Sequence, residues 1–62
     1  MNVGDFVKIT SKAKVNGIQH HHIGKIGIIK ELKYIASSDV TVAVVDLPTK
    51  RFYVLTKYLK KV

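Results

Sequence analysis

Three consecutive histidines, His20, His21 and His22, stand in the stretch GIQHHHIGKIGII, residues 17–29. Imidazole titrates near neutral pH, ligates metals and takes part in acid–base catalysis, so such a run has several uses. Catalysis needs partners that the chain does not offer. Ser11 is close in sequence, but Asp5, Glu31, Asp39 and Asp46 are scattered over separate segments. They supply neither a carboxylate pair nor the orienting acid of a serine triad. A domain of 62 residues also leaves little room for a water-excluding pocket, so no enzyme is expected. Metal binding fares no better. On an extended segment His20 and His22 point one way and His21 the other, whereas structural zinc wants four donors and usually some cysteine. The chain has no cysteine, and neither a metal nor another cofactor is expected. Two readings of the histidines stay open: a solvated loop, or the rim of a binding surface.

The charge balance bears on the second reading. Eleven lysines and arginines face four acids, for a formal charge of +7. That excess favours polyanionic partners: nucleic acid first, an acidic protein surface as the alternative, anionic lipid last. Arg51 is the only arginine. Arginine supplies the bidentate contacts that read guanine, whereas lysine acts as a point charge, so phosphate contacts are expected to outweigh base reading. No apolar run approaches the ~20 residues that span a bilayer. The start MNVGDFVKIT lacks the pattern of a signal peptide. A single domain over residues 1–62, with no membrane partner and a cytoplasmic location, is the expectation.

The elements that must position these residues read as β throughout. DFVKIT, residues 5–10, alternates, with Val7 and Ile9 on one face. A long polar passage follows, SKAKVNGIQHHH, with Asn16-Gly17 as a turn signal. GKIGIIKELKYI, residues 24–35, predicts a second strand, although the apolar residues 28, 29, 32 and 35 also fit a helical face. Gly24 and Gly27 upstream, and the lack of an N-cap before Ile28, argue for the strand. ASSD is a loop, VTVAVV (residues 40–45) the clearest strand, and residues 46–50 a turn in which Pro48 excludes a strand interior. RFYVL (residues 51–55) is the fourth strand. Thr56-Lys57-Tyr58 predicts one 3₁₀ turn before a short last strand, residues 59–62. The fold class expected is all-β, a small five-stranded antiparallel barrel, with Val7, Ile9, Ile29, Val42, Val44, Phe52, Val54 and Leu59 in one core.

The pair VGDFVKI (residues 3–9) and GKIGII (residues 24–29) resembles the opening of SH3-like barrels that begin G-D-x-V-x-V and continue G-x-x-G-x-V. These include the KOW-motif domains of ribosomal and transcription-elongation proteins and the photosystem I accessory subunit that shares the barrel. The ending FYVLTKYLKKV looks like the last two strands of such barrels and the 3₁₀ turn between them. The first loop, residues 11–23, is longer than the compact turn usual in KOW domains. The glycines have a reading of their own: Asp5 after Gly4 can close a turn by accepting backbone N–H bonds, and Gly24 with Gly27 fit a bulge or bend.

In an up-and-down succession of strands, the first and third loops lie at the same end. The first carries Lys12, Lys14, His20, His21 and His22, with Lys25 just beyond; the third carries Lys50 and Arg51. The ASSD loop at the other end has no basic residue. Alternation turns Phe52 inward and Tyr53 outward beside Arg51, and leaves Phe6 partly exposed. The candidate nucleic-acid-binding set, DNA or RNA, is therefore Lys12, Lys14, His20, His21, His22, Lys25, Lys50, Arg51 and Tyr53.

Overall fold

Alternating and β-branched segments become strands, and each expected strand forms with its ends moved by a residue or two. The computed structural model describes the backbone of residues 1–62 and every side chain but that of Asn16. The strands are β1 (Phe6–Ile9), β2 (Ile26–Ile35), β3 (Val40–Asp46), β4 (Arg51–Leu55) and β5 (Leu59–Lys61). They form one antiparallel sheet in the order β4-β3-β2-β1-β5. The helical alternative over residues 28–36 is excluded, since β2 runs as a strand to Ile35, paired with β3 from Ile28 onward and with β1 up to Ile28.

The two edge strands, β4 and β5, are not hydrogen-bonded to each other, so the sheet is not closed into a barrel by backbone pairing. They are nonetheless joined by the single turn Thr56–Tyr58, which is 3₁₀ as expected. A flat five-stranded sheet would separate its edges by about 19 Å, four spacings of ~4.8 Å, too far for three residues to bridge. The sheet therefore curls, and its concave side holds the core. Thr10 fastens the curl: its N–H and its hydroxyl both donate to the Tyr58 carbonyl, at 3.0 and 2.6 Å.

Val7, Ile9, Ile29, Val54 and Leu59 lie in that core as expected, and Phe52 packs against it. The face of β3 is the reverse of the expectation. Ala43 and Val45 enter the core, while Val42 is half-buried and Val44, though 7% exposed, lies outside the core cluster. The register is the reason. Val45 pairs with Ile29 and Ala43 with Leu32, and Lys30 is the extra residue of a bulge that lets Ile29 and Leu32 share one face. Val44 is covered from the outer side, between Glu31 and Tyr53 across the sheet. The bulge thus falls at Lys30 and not at the glycines. Gly27 answers a different demand: a Cβ there would stand 2.7 Å from both the Asp46 carbonyl oxygen and Val45 Cγ1. Only a bare backbone lets β2 pass so close to the end of β3.

The first loop also differs from the polar passage expected. It contains two further 3₁₀ turns, Ser11–Asn16 and His20–His22, where one such turn in the whole chain was expected. It also sends Ala13 and Ile18 into the core. Leu47, read as part of a turn, is buried there too. Asp5 closes the N-terminal turn as anticipated, its Oδ2 accepting from the Asn2 N–H at 2.9 Å.

Candidate functional site

The histidines are positioned by a short 3₁₀ turn anchored on both sides. The His22 N–H donates to the Gln19 carbonyl at 3.0 Å and the Ile23 N–H to that of His20 at 3.1 Å. Gly24 follows at φ +87, a left-handed conformation open to glycine at no steric cost. That turn aims the Gly24 N–H at the Ile9 carbonyl, 2.7 Å away, while the Ile9 N–H donates to the Lys25 carbonyl at 3.0 Å. The end of the loop is therefore tied to β1, and Lys25 leaves from a fixed backbone. Because the segment is 3₁₀ and not extended, the strict alternation of the three rings does not apply. His21 and His22 stack obliquely with centroids 3.9 Å apart, and His22 meets the Phe52 ring at 4.8 Å.

Opposite lies the β3–β4 turn, closed by the Leu47 N–H donating to the Lys50 carbonyl at 2.8 Å. Between loop and turn is a cleft of about 330 Å³ lined by His21, His22, Lys25, Leu47, Pro48, Thr49 and Lys50. The structure thus brings His21, His22, Lys25 and Lys50 together. His22 is 7% exposed, and its Nε2 is buried with no hydrogen-bond partner among the described residues. Its pKa is pushed below the usual histidine value by burial first, then by the neighbouring His21, Lys50 and Lys25. Each of these effects penalises the imidazolium.

The other expected residues stand outside the cleft. Lys12 and Lys14 are exposed on the Ser11–Asn16 turn, which packs against β4, and His20 is exposed at the head of the histidine turn. Tyr53 faces outward and is 68% exposed. Arg51 is engaged with Asp46, its Nε donating to Oδ1 at 2.6 Å and its Nη2 to Oδ2 at 3.3 Å. That fork holds the Asp46 carboxyl below the ordinary carboxylate value against the opposing effect of burial, and raises the Arg51 pKa. The pairing follows from the register Asp46↔Arg51. No group of three or more His, Cys, Asp or Glu side chains converges among the described residues.

Sequence reasoning missed the walls of the cleft, Leu47, Pro48 and Thr49, and the neutralisation of Arg51. It also missed an apolar row on the outer face of the sheet. Phe6 pairs with Ile28, and the Val62 N–H donates to the Phe6 carbonyl, so three apolar residues stand side by side across β5, β1 and β2. Phe6 is 57% and Val62 65% exposed. Period-two alternation marks Phe6 and Ile28 as outward; only the register makes them neighbours. No helix of the described residues is long and apolar enough to cross a membrane. No family model matches the chain, and no curated protein or solved structure matches it either.

Proposed function

We propose that the protein is a non-enzymatic SH3-like, KOW-like module that binds nucleic acid chiefly through phosphate contacts, in the service of transcription or translation. The observation that carries this reading is the meeting of Lys25, His21 and His22 with Lys50 at one end of the sheet, in a chain whose formal charge is +7. The 3₁₀ turn at Thr56–Tyr58 between β4 and β5 supports the likeness to those barrels. Lysine-rich contacts favour the backbone over base edges. Lys12, Lys14 and His20 extend the basic surface along the first loop, and Tyr53 offers an exposed ring on which a base can stack.

A second reading has its own support. The row of exposed Phe6, half-buried Ile28 and exposed Val62 suits a docking module that presents apolar contacts to an acidic protein, its lysines supplying steering. Fluorescence anisotropy against duplex DNA, single-stranded DNA and RNA at two salt concentrations separates the two. Nucleic-acid binding gives an affinity that falls steeply with salt, with a slope set by the phosphates neutralised. No binding to any of the three, with capture of a protein from lysate that survives nuclease, selects docking.

A further inference from the structure

We infer that the cleft between the histidine turn and the β3–β4 turn is a discrete seat for one phosphate group, gripped by Lys25 and Lys50 and walled by His22. The inference rests on the nucleic-acid reading for the source of that phosphate, but the seat itself is argued from the cleft. Two lysines reach it from opposite walls, one fixed by the Ile9–Lys25 backbone bond and the other by the Leu47–Lys50 bond. Neither lysine forms an ion pair among the described residues, whereas the adjacent Arg51 does. The carboxylate nearest in sequence, Asp46, is occupied by Arg51. The cleft wall is therefore positive without an internal counterion. Thr49 adds a hydroxyl, and Leu47 and Pro48 an apolar flank.

His22 supplies the second, independent sign. It lines the cleft, is more than nine-tenths buried, and carries an Nε2 with no partner among the described residues. A buried polar atom without a partner is uncommon in a folded domain and calls for a functional or structural reason. The groups facing the ring are His21 from its own turn, Lys25 from the segment entering β2, Lys50 from the β3–β4 turn and the uncharged Phe52 ring from β4. None of them is a carboxylate. A phosphate in the cleft reverses that field and favours the imidazolium.

The proton linkage has a definite sign. The folded pKa of His22 lies below its unfolded value, so the free protein binds that proton less readily than the unfolded chain. Its contribution to stability is fully present above the ordinary value of about 6.5 and is lost as pH falls from there toward the folded pKa. Phosphate raises the folded pKa and opposes this loss.

The probes are inorganic phosphate and a matched pair of short single-stranded DNAs, one 5′-phosphorylated and one ending in a 5′-hydroxyl. Heteronuclear NMR of the full chain should show saturable shifts at His22, Lys25 and Lys50 on adding phosphate. The His22 pKa should rise on adding phosphate, and the ratio of wild-type to His22→Gln affinity should be several-fold higher at pH 6 than at pH 8, a ratio from which the ionisation of phosphate itself cancels. Lys25→Gln with Lys50→Gln, both exposed, should abolish the shifts, and His22→Gln should weaken binding at pH 6 more than at pH 8. Tighter binding of the 5′-phosphorylated strand assigns a terminal phosphate; equal binding, with competition by inorganic phosphate, assigns a backbone one. Shifts that spread over all lysines, or that survive the double substitution, overturn the seat. DNA binding untouched by the double substitution leaves the nucleic-acid reading standing and overturns the seat alone. Phosphate binding in the cleft with no affinity for either strand does the reverse.

Discussion

The two ends of the sheet are built on opposite plans. At one end the Ala36–Asp39 loop is exposed throughout and satisfied within itself. The Ser38 N–H donates to the Ile35 carbonyl, the Asp39 N–H to that of Ala36, and the Tyr34 hydroxyl to Asp39 Oδ1 at 2.7 Å. At the other end the first loop sinks Ala13, Ile18 and most of His22 into the protein and leaves its cations without counterions among the described residues. A loop that only reverses the chain needs its own hydrogen bonds and nothing more. A loop that must hold like charges close together needs the core beneath it, because repulsion would otherwise spread them. The depth of burial, more than the charge, separates the two.

The largest expected effect tests that dependence. Ile18 is 8% exposed in the middle of the first loop. Ile18→Ala should cost about 2–4 kcal/mol by the usual cost of deleting a buried isoleucine. A 62-residue domain has only about 3–9 kcal/mol at 0.05–0.15 per residue. Urea titration followed by circular dichroism measures the loss. A cost below about 0.5 kcal/mol would make this loop a surface turn like its counterpart and break the comparison.

Next comes the place where the cationic end is braced. Gly27→Ala would press a methyl group against the Asp46 carbonyl and Val45, and Val45 is fully buried. Over-packing of this kind costs about 1–3 kcal/mol, and the backbone oxygen has little freedom to yield. The sharper readout is local: amide exchange should quicken at Leu47, whose N–H closes the β3–β4 turn, before it does at Asp39. Uniform loss of protection would show that the two ends are one cooperative unit.

The same contrast explains what could be read from the residues alone. Strand positions were legible because Val7/Ile9 and Phe52/Val54 alternate cleanly. The face of β3 was not, because VTVAVV is apolar at every position but Thr41, and alternation then selects no side. Its pairing with Ile29 across the Lys30 bulge decides, and that is tertiary information. The first loop's core role was hidden for a similar reason: Ala13 and Ile18 are isolated among polar neighbours and form no period. The convergence of His21, His22 and Lys25 with Lys50 was legible, since it follows from the parity of loops in an antiparallel meander. The loss of Arg51 to Asp46 was not, because a lone acid five residues away identifies a partner only once the hairpin register is known.

That ion pair gives a smaller effect of opposite sign. Asp46→Asn removes the carboxylate that occupies Arg51 and raises the formal charge by one. If the end containing Lys25 and Lys50 meets phosphate, the freed guanidinium should tighten nucleic-acid binding and steepen the salt slope by up to about 1. Anisotropy at several salt concentrations reads this directly. An unchanged slope would place Arg51 outside the interface and confine the binding surface to the cleft and the first loop.

The smallest effect belongs to the other end. Tyr34→Phe deletes the hydroxyl that donates to Asp39, a bond that also raises the Tyr34 pKa. Both groups are exposed, so water replaces what the substitution removes. The turn keeps its two backbone bonds, and Asp39, at φ +51, is among the residue types that tolerate the left-handed region. Thermal stability should drop only slightly. Nucleic-acid affinity and its salt slope should not move, because the loop carries no cation and lies at the far end of β2 and β3 from Lys25 and Lys50. A clear loss of affinity in Tyr34→Phe would mean that the ring is part of the interface. Binding would then reach the far end of β2 and β3, and the contrast between the two ends would no longer mark the site.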